Sequence, residues 1–340
     1  MKRLSLSLIA IILAFALTAC AGASGSSAAQ PAESSASQEK PVTLKLGHLG
    51  TQGDAYYQGA EKFKELAESY SNGSITVEVY PNSELASGTD AVQGCQMGTI
   101  DIVLESSMTI SNFVSNFGVL DLPFIFQSYE QAYKVLDGDV GQALEADAEA
   151  QGFKVLHYWN NGFRNISNGK RPINSVQDLK GLKIRVPNSE VYLKTFEILE
   201  AIPTPMNWSE VFSSLQLGAI DGQENPNGHM ISYNLTEVQK YFTITNHIYT
   251  AEPLIMNLDR FNGLSAAQQE ALLKAAKESG EFERTLREQR NNEDLQKIKD
   301  AGIEVTTPDL NAFKSAVQPV YAQYGTKYGD LLKRIQAITG

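Results

Sequence analysis

The stretch from Asp178 to Pro226 reads DLKGLKIRVPNSEVYLKTFEILEAIPTPMNWSEVFSSLQLGAIDGQENP, and it determines how the rest of the sequence is interpreted. Near its start, Leu182, Ile184 and Val186 alternate with Lys183 and Arg185, which predicts a short strand that buries one set of side chains. Pro187 ends that strand, since proline cannot donate to a ladder. The guanidinium of Arg185 is therefore expected at a strand end, where open α/β sheets bind ligands. Its planar N–H groups can form two parallel hydrogen bonds to a carboxylate.

The chain on both sides of this stretch alternates short strands with helices. Strands are predicted around 42–48, 75–79, 102–104 and 153–159, and helices over 55–70, 89–97 and 129–148. A long charged helix is predicted to begin after Ser265, because Ser265 and Gln268 form a capping-box pattern. Asn207 with Glu210 shows a similar pattern. Alternation of this kind indicates crossover units and mostly parallel sheets. No internal repeat is detected.

Five short motifs resemble the solute-binding subunits of TRAP (tripartite ATP-independent periplasmic) transporters, the DctP-like family. They are Leu120-Asp121-Leu122-Pro123-Phe124, Asn161-Gly162-Phe163-Arg164, Leu182-Lys183-Ile184-Arg185-Val186-Pro187, Pro203-Thr204-Pro205-Met206 and Asp221-Gly222-Gln223-Glu224-Asn225-Pro226. The resemblance runs from about residue 42 to about residue 337. It implies an α/β fold with two lobes that form a periplasmic-binding-protein-like clamp, each lobe a mostly parallel sheet flanked by helices, joined by several crossings.

The same resemblance gives the expected domain boundaries. Lobe I is expected to comprise 41–161 plus about 251–290, and lobe II 162–250 plus about 291–340. It also implies binding of an organic acid, delivery to TRAP membrane subunits, and a monomer without a cofactor.

The first forty residues predict export and membrane attachment. Lys2 and Arg3 precede an apolar run, and Leu17-Thr18-Ala19-Cys20 resembles a bacterial lipobox, so 1–19 is expected to be a lipoprotein signal peptide and Cys20 the lipidated residue. An ordinary signal peptide with an incidental cysteine is the alternative. Residues 20–40 are rich in Ala and Ser, which predicts a flexible tether. The expected location is therefore the extracytoplasmic face of a bacterial cell envelope.

Composition excludes several other classes of function. The net charge of −11 argues against nucleic-acid binding. Cys20 and Cys95 are the only cysteines, so with Cys20 lipidated no intramolecular disulfide is expected. The four histidines show no metal-ligand spacing, and no phosphate-binding loop or nucleophile elbow has a suitable context, so neither a metal site nor an enzyme is indicated. An envelope enzyme acting on sugar acids is the less favoured alternative.

The candidate ligand contacts follow from the matched motifs. In relatives the positions of Arg185 and Arg164 face a ligand carboxylate, Asn225 donates to that carboxylate, and Trp208 places an aromatic ring against the ligand. Each has a structural alternative: an arginine paired with an internal carboxylate, a turn asparagine before Pro226, or a core tryptophan.

Three carboxylates and one histidine complete the set of candidates. Glu84, Glu105 and Glu252 fall near segments that border the cleft in relatives, and His48 lies at the end of the first strand. Carboxylates facing the cleft would repel a second ligand carboxylate and accept hydrogen bonds from hydroxyls. The predicted ligand is therefore a sugar acid such as glucuronate or galacturonate, with a C4-dicarboxylate, sialic acid or a keto acid as alternatives.

Overall fold

A computed structural model describes residues 39–340, which form one compact unit. The predicted signal peptide, Cys20 and the tether lie outside the described residues, apart from Glu39 and Lys40. No helix within 39–340 is long and apolar enough to cross a membrane.

The described residues contain two mixed sheets. The strands are Val42–His48 (β1), Ile75–Tyr80 (β2), Ile102–Leu104 (β3), Phe153–Phe163 (β4), Asn165–Asn168 (β5), Lys183–Val186 (β6), Ile202–Pro205 (β7), Gly222–Asn225 (β8), Tyr241–Thr243 (β9), Tyr249–Asn257 (β10) and Glu304–Thr306 (β11). The first sheet has the order β2-β1-β3-β10-β4 and the second β11-β9-β5-β8-β6-β7. Both are mixed because β10 pairs antiparallel with β3 and β4, and β5 pairs antiparallel with β8 and β9.

Helices flank both sheets. They are Ala55–Tyr70 (α1), Thr89–Gln96 (α2), Ser107–Ile110 (α3), Tyr129–Leu136 (α4), Asp139–Glu149 (α5), Glu190–Ile198 (α6), Val211–Gln216 (α7), Asn227–Ser232 (α8), Leu258–Asn262 (α9), Ala266–Asp300 (α10), Leu310–Ala316 (α11) and Gln318–Thr339 (α12). Four 3-10 helices cover Ser115–Val119, Val176–Leu179, Trp208–Glu210 and Leu235–Glu237. We call the first sheet with its flanking helices lobe I and the second sheet with its helices lobe II.

The chain passes between the lobes several times, as predicted. It crosses from β4 to β5, returns from β9 to β10, and crosses again along α10, which packs on α1 and β4 and also on α8. The C-terminal helix α12 contacts α4 and α5 as well as α6. The α/β clamp architecture is confirmed, while the residue boundaries between its lobes stay a prediction.

Most predicted elements form, and two local predictions were wrong. The capping box of Ser265 and Gln268 opens α10, as expected. The single helix predicted over 129–148 is two helices, because α4 ends at Leu136 and α5 begins after Gly138. Asn207 makes no side-chain cap; a short 3-10 helix follows it instead.

The two lobes repeat one structural unit, although no repeat was detected in the sequence. Residues 96–101 read QMGTID between α2 and β3, and 216–221 read QLGAID between α7 and β8. In both segments a glycine with positive φ, +74° at Gly98 and +70° at Gly218, ends the helix. The aspartate then accepts a backbone N–H from the neighbouring strand: Asp101 from Lys45 at 2.8 Å and Asp221 from Lys183 at 2.9 Å.

Candidate ligand-binding site

A cavity lies between the lobes, at the ends of β3, β6 and β8. Both lobes contribute polar side chains to its lining: Ser83, Ser87, Thr89, Glu105, Ser106, Thr109 and Asn161 from lobe I, and Arg185, Asn188, Asn207, Asn225 and His229 from lobe II. Leu49, Met108, Met206 and Trp208 supply apolar surface.

Arg185 is the cationic side chain of the cavity. Strand β6 holds it by parallel pairing with β7 and β8, and its side chain is 4% exposed. Its Nε and Nη2 both donate to the carbonyl of Met206, at 3.1 and 2.8 Å. Within residues 39–340 no carboxylate lies within ion-pair distance of this guanidinium, so it is a buried cation without a counter-charge in the described chain.

Burial has an electrostatic cost at this position. Burial, with a smaller contribution from Arg164, lowers the pKa of Arg185 to about 10, while Glu224 opposes the shift. The side chain stays protonated at neutral pH. An anion that entered the cavity would supply the missing counter-charge and two hydrogen-bond acceptors.

An aromatic cluster supports the guanidinium. The Trp208 ring centroid lies 5.5 Å from the Arg185 Cζ, a distance at which a cation interacts favourably with the ring. Trp208 packs edge-on against His229 at 5.4 Å and against Tyr233 at 4.9 Å. Burial lowers the pKa of His229 to about 3, so the imidazole is neutral and adds no second cation to the wall.

Asn225 lies at the end of β8 and lines the same cavity. Its side chain is 3% exposed, and its Nδ2 donates to Gln223 Oε1 at 2.7 Å. Asn225 and Arg185 therefore line the lobe II side of one cavity, and the predicted contact of Asn225 with a ligand carboxylate stays a prediction. This wall presents a cation and neutral amides.

Glu105 lies on the opposite wall, at the end of β3. Its Oε1 accepts hydrogen bonds from the Ser106 backbone N–H at 3.0 Å and from Ser106 Oγ at 3.1 Å. Burial raises the pKa of Glu105, although the hydrogen bonds from Ser106 and Thr109 oppose the shift. The cavity thus carries a cationic side in lobe II and an acidic, hydroxyl-rich side in lobe I.

Glu252 lies behind this lobe I wall and does not line the cavity. It is fully buried on β10, and its Oε2 accepts from Nδ2 of Asn161, which does line the cavity, at 3.1 Å. Burial, with Coulombic repulsion from Glu105, raises the pKa of Glu252 well above its ordinary value. The shift favours the protonated form, and the Glu252 Oε1 has no hydrogen-bond partner among the described residues.

Arg164, the second predicted ligand-facing arginine, is placed elsewhere. It is fully buried outside the cavity lining, and its Nε and Nη2 donate to the Glu224 carboxylate at 2.6 and 2.9 Å. His247 Nε2 lies 3.2 Å from the same carboxylate. The predicted ligand contact of Arg164 is therefore replaced by its structural alternative, an ion pair with an internal carboxylate. The cause is Glu224, which strand β8 places within contact distance.

Glu84 and His48 are also outside the cavity lining. Glu84 is exposed, and its neighbour Ser83 takes the cavity position. His48 is buried, with its Nδ1 accepting from the Gly50 N–H at 3.0 Å, and burial lowers its pKa to about 4. Strand-end position alone did not distinguish these residues from ones that line the site.

Several lining residues were not predicted as ligand contacts. Asn161 belongs to a matched motif, and Asn188 and Asn207 lie at predicted helix starts. A signal therefore existed at each position, but none was assigned a role toward the ligand. The hydroxyls of Ser106 and Thr109 carried no pattern, because short polar residues after a strand are common in turns.

Comparison with known proteins agrees with this geometry. Residues 46–327 match the DctP family, described as bacterial extracellular solute-binding protein, family 7. The 2,3-diketo-L-gulonate-binding periplasmic protein YiaO of Escherichia coli is 34% identical over 301 residues, which cover 87% of this chain and 92% of YiaO. The C4-dicarboxylate-binding periplasmic protein DctP of Rhodobacter capsulatus is 35% identical over 306 residues, covering 88% and 92% of the two chains.

A solved structure shares the fold. A TRAP periplasmic solute-binding protein from Roseobacter denitrificans with bound β-D-glucuronate superposes with a TM-score of 0.85 at 29% identity, covering 87% of this chain and 99% of that one. Fold and cavity define a two-lobed binding protein. The chain belongs to family 7 of the bacterial extracellular solute-binding proteins, the DctP-like solute-binding subunits of TRAP transporters.

Proposed function

We propose that this protein captures an organic acid outside the cytoplasm through a salt bridge between Arg185 and the ligand carboxylate, and delivers it to TRAP membrane subunits. The observation that carries this proposal is a buried guanidinium that lines the cavity and has no carboxylate partner within residues 39–340. Charge-assisted hydrogen bonds contribute about 1.5–3 kcal/mol each, a substantial part of the roughly −8 kcal/mol of micromolar binding.

The preferred ligand is a sugar acid such as glucuronate or galacturonate. One carboxylate satisfies Arg185, and the opposite wall offers Glu105, Ser106 and Thr109 to hydroxyl groups. A dicarboxylate would bring its second charge toward Glu105 in a water-poor cavity, where like charges repel more strongly than in water. The glucuronate-bound relative supports this choice, while the dicarboxylate-binding relative makes succinate the principal competitor.

Titration calorimetry against a panel of acids tests the proposal. Glucuronate, galacturonate, succinate, malate and a neutral hexose are titrated into the full-length protein, with melting temperatures as a second readout. We expect a uronate to bind most tightly and the hexose not to bind. Tighter binding of succinate or malate than of every uronate would replace the sugar-acid assignment by a dicarboxylate one, and absence of binding to any acid would overturn the function.

The attachment proposed for this subunit is a lipid on Cys20, which would keep the binding domain at the membrane near its partner subunits. Cys20→Ala should abolish lipid labelling and stable membrane association without changing ligand affinity. Metabolic labelling with a lipid probe provides the measurement, and equal labelling of both forms would contradict the proposal.

A further inference from the structure

Two hydrogen bonds cross from one lobe to the other beside the cavity. Tyr233 Oη, which follows α8 in lobe II, donates to the carbonyl of Leu49 in lobe I at 2.9 Å. Asn112 Nδ2, which follows α3 in lobe I, donates to the carbonyl of Asn188 in lobe II at 2.8 Å. Both acceptor residues, Leu49 and Asn188, line the cavity. Each bond therefore ties a piece of the cavity wall to the opposite lobe.

The environments of the two donors differ. Tyr233 is half-buried, and its ring packs edge-on against Trp208 at 4.9 Å and stacks on His229 at 5.5 Å. Asn112 and Asn188 are both exposed, so water competes for their hydrogen bond. The tyrosine bond is accordingly the stronger link, and it is built on the aromatic cluster that supports Arg185.

A close approach accompanies these bonds. A Cβ added at Gly88 of lobe I would lie 2.9 Å from Asn207 Oδ1 of lobe II, closer than real contacts allow. Both residues line the cavity. The lobes are therefore in direct contact across the site as well as joined by hydrogen bonds.

We propose that Tyr233 and Asn112 are positioning residues that hold the lobes closed over the bound acid and so set its rate of release, with Tyr233 dominant. The proposal rests on the ligand cavity proposed above. Release requires the two interlobe bonds beside the cavity to break, whereas the acid enters before they form. Loss of one bond should therefore raise the dissociation rate and leave the association rate unchanged.

Tyr233→Phe tests this directly, since it removes one hydroxyl and keeps the ring against Trp208. In stopped-flow measurements with the tightest-binding acid of the panel, we expect dissociation about fivefold faster, as a net hydrogen bond predicts, with an unchanged association rate. Asn112→Ala should change dissociation less than Tyr233→Phe does. Release by the Tyr233→Phe protein at the wild-type rate would overturn the proposal.

The matched control is Tyr158→Phe. Tyr158 Oη also donates to a backbone carbonyl, that of Gly141, at 3.0 Å, but both residues belong to lobe I. This substitution should lower the melting temperature without changing dissociation. Equal acceleration of release by both substitutions would mean that general loss of stability, not interlobe closure, causes the effect, and would also overturn the proposal.

A measurement without ligand separates this proposal from the proposed function. Met97 in lobe I and Leu217 in lobe II are 71% and 82% exposed, so spin labels on Met97→Cys and Leu217→Cys report the distance between the lobes. Cys95 is buried, and Cys20 is replaced by alanine. Tyr233→Phe should shift the distance distribution toward an open form. If no acid binds the wild type, the proposed function fails, but the spin-label measurement still tests the interlobe link. Identical distance distributions in the wild type and in Tyr233→Phe would overturn that link.

Discussion

Lobes I and II use one backbone unit to present different chemistry to the cavity. The register pairs Leu46 with Ile102 in lobe I and Ile184 with Gly222 in lobe II, so Gly47 of β1 is equivalent to Arg185 of β6. By the same register, Glu105 is equivalent to Asn225. Where lobe II has a guanidinium and an amide, lobe I has a glycine and a carboxyl group.

The buried carboxylates beneath these walls differ in the same way. In lobe II, burial alone would raise the pKa of Glu224, but Arg164 and His247 lower it below its ordinary value. In lobe I, Glu252 has no arginine of this kind, and burial raises its pKa. A few side chains therefore determine the polarity of each wall: those at the two equivalent pairs of positions, and the partners of the buried carboxylates. Substitutions can test each of them.

The largest effect is expected from Glu224→Gln. The substitution leaves the Arg164 guanidinium buried without its anion, which costs about 3–5 kcal/mol of unfolding free energy. Denaturant unfolding of the ligand-free protein measures this loss. Glu200→Gln is the control, because Glu200 forms an exposed pair with Lys180 at 2.9 Å in the same lobe. A loss below 1 kcal/mol for Glu224→Gln would show that the pair is not a structural support of lobe II.

The next largest effect is expected from Arg185→Lys. A lysine keeps the charge but cannot hydrogen-bond the Met206 carbonyl and the ligand carboxylate at the same time as the planar guanidinium can. The free energy of ligand binding should therefore weaken by about 3 kcal/mol, more than a hundredfold in affinity. The ligand-free melting temperature should stay close to wild type. Arg171→Lys is the matched control, since exposed Arg171 also donates to two backbone carbonyls. Wild-type affinity by calorimetry would contradict the role assigned to Arg185.

The features that could be predicted from sequence were those with a local cause. Strand β6 follows from alternation and Pro187, and α10 follows from its capping box. Arg185 was singled out by strand-end geometry and a matched motif, and Asn225 by a matched motif. Both line the cavity, and their contact with a ligand stays a prediction.

Features that depend on tertiary neighbours could not be predicted. Arg164 and Arg185 both lie near predicted strands. Only the pairing of β5 with β8 shows that Glu224 forms an ion pair with Arg164. Glu84 and Glu105 were equally plausible as acidic residues near the cleft, yet one is exposed and the other buried. The repeated unit was missed because the sequence similarity is confined to the six-residue segments 96–101 and 216–221. The hydrogen bonds from the backbone N–H groups of Lys45 and Lys183 reveal that the two segments are equivalent.

A pH-dependent effect is expected from Glu252→Gln. The folded pKa of Glu252 is raised above its ordinary value of 4.5, so its stabilising contribution is full below that pH and is lost as pH rises toward the folded pKa. Between these limits the wild-type free energy of unfolding should fall by up to about 1.4 kcal/mol per pH unit relative to the variant. Urea unfolding from pH 4 to 8 (about four pH units) measures the difference. The exposed control Glu237→Gln should give a curve parallel to that of the wild type. A parallel curve for Glu252→Gln would refute the raised pKa of Glu252.

The smallest effect, and the most informative about the ligand, is expected from Glu105→Gln, which gives lobe I the same kind of group that Asn225 gives lobe II. Removing the carboxylate removes repulsion toward a second ligand carboxylate and weakens acceptance from hydroxyls. Affinity for succinate should rise, and affinity for the preferred uronate should fall, each by about 1 kcal/mol, or roughly fivefold. Calorimetry with both acids measures the ratio, which exposed Glu84→Gln should leave unchanged. The ratio of the two affinities compares two ligands on one protein, so a general change in stability cancels. An unaltered ratio in Glu105→Gln would mean that lobe I does not select against a second ligand carboxylate.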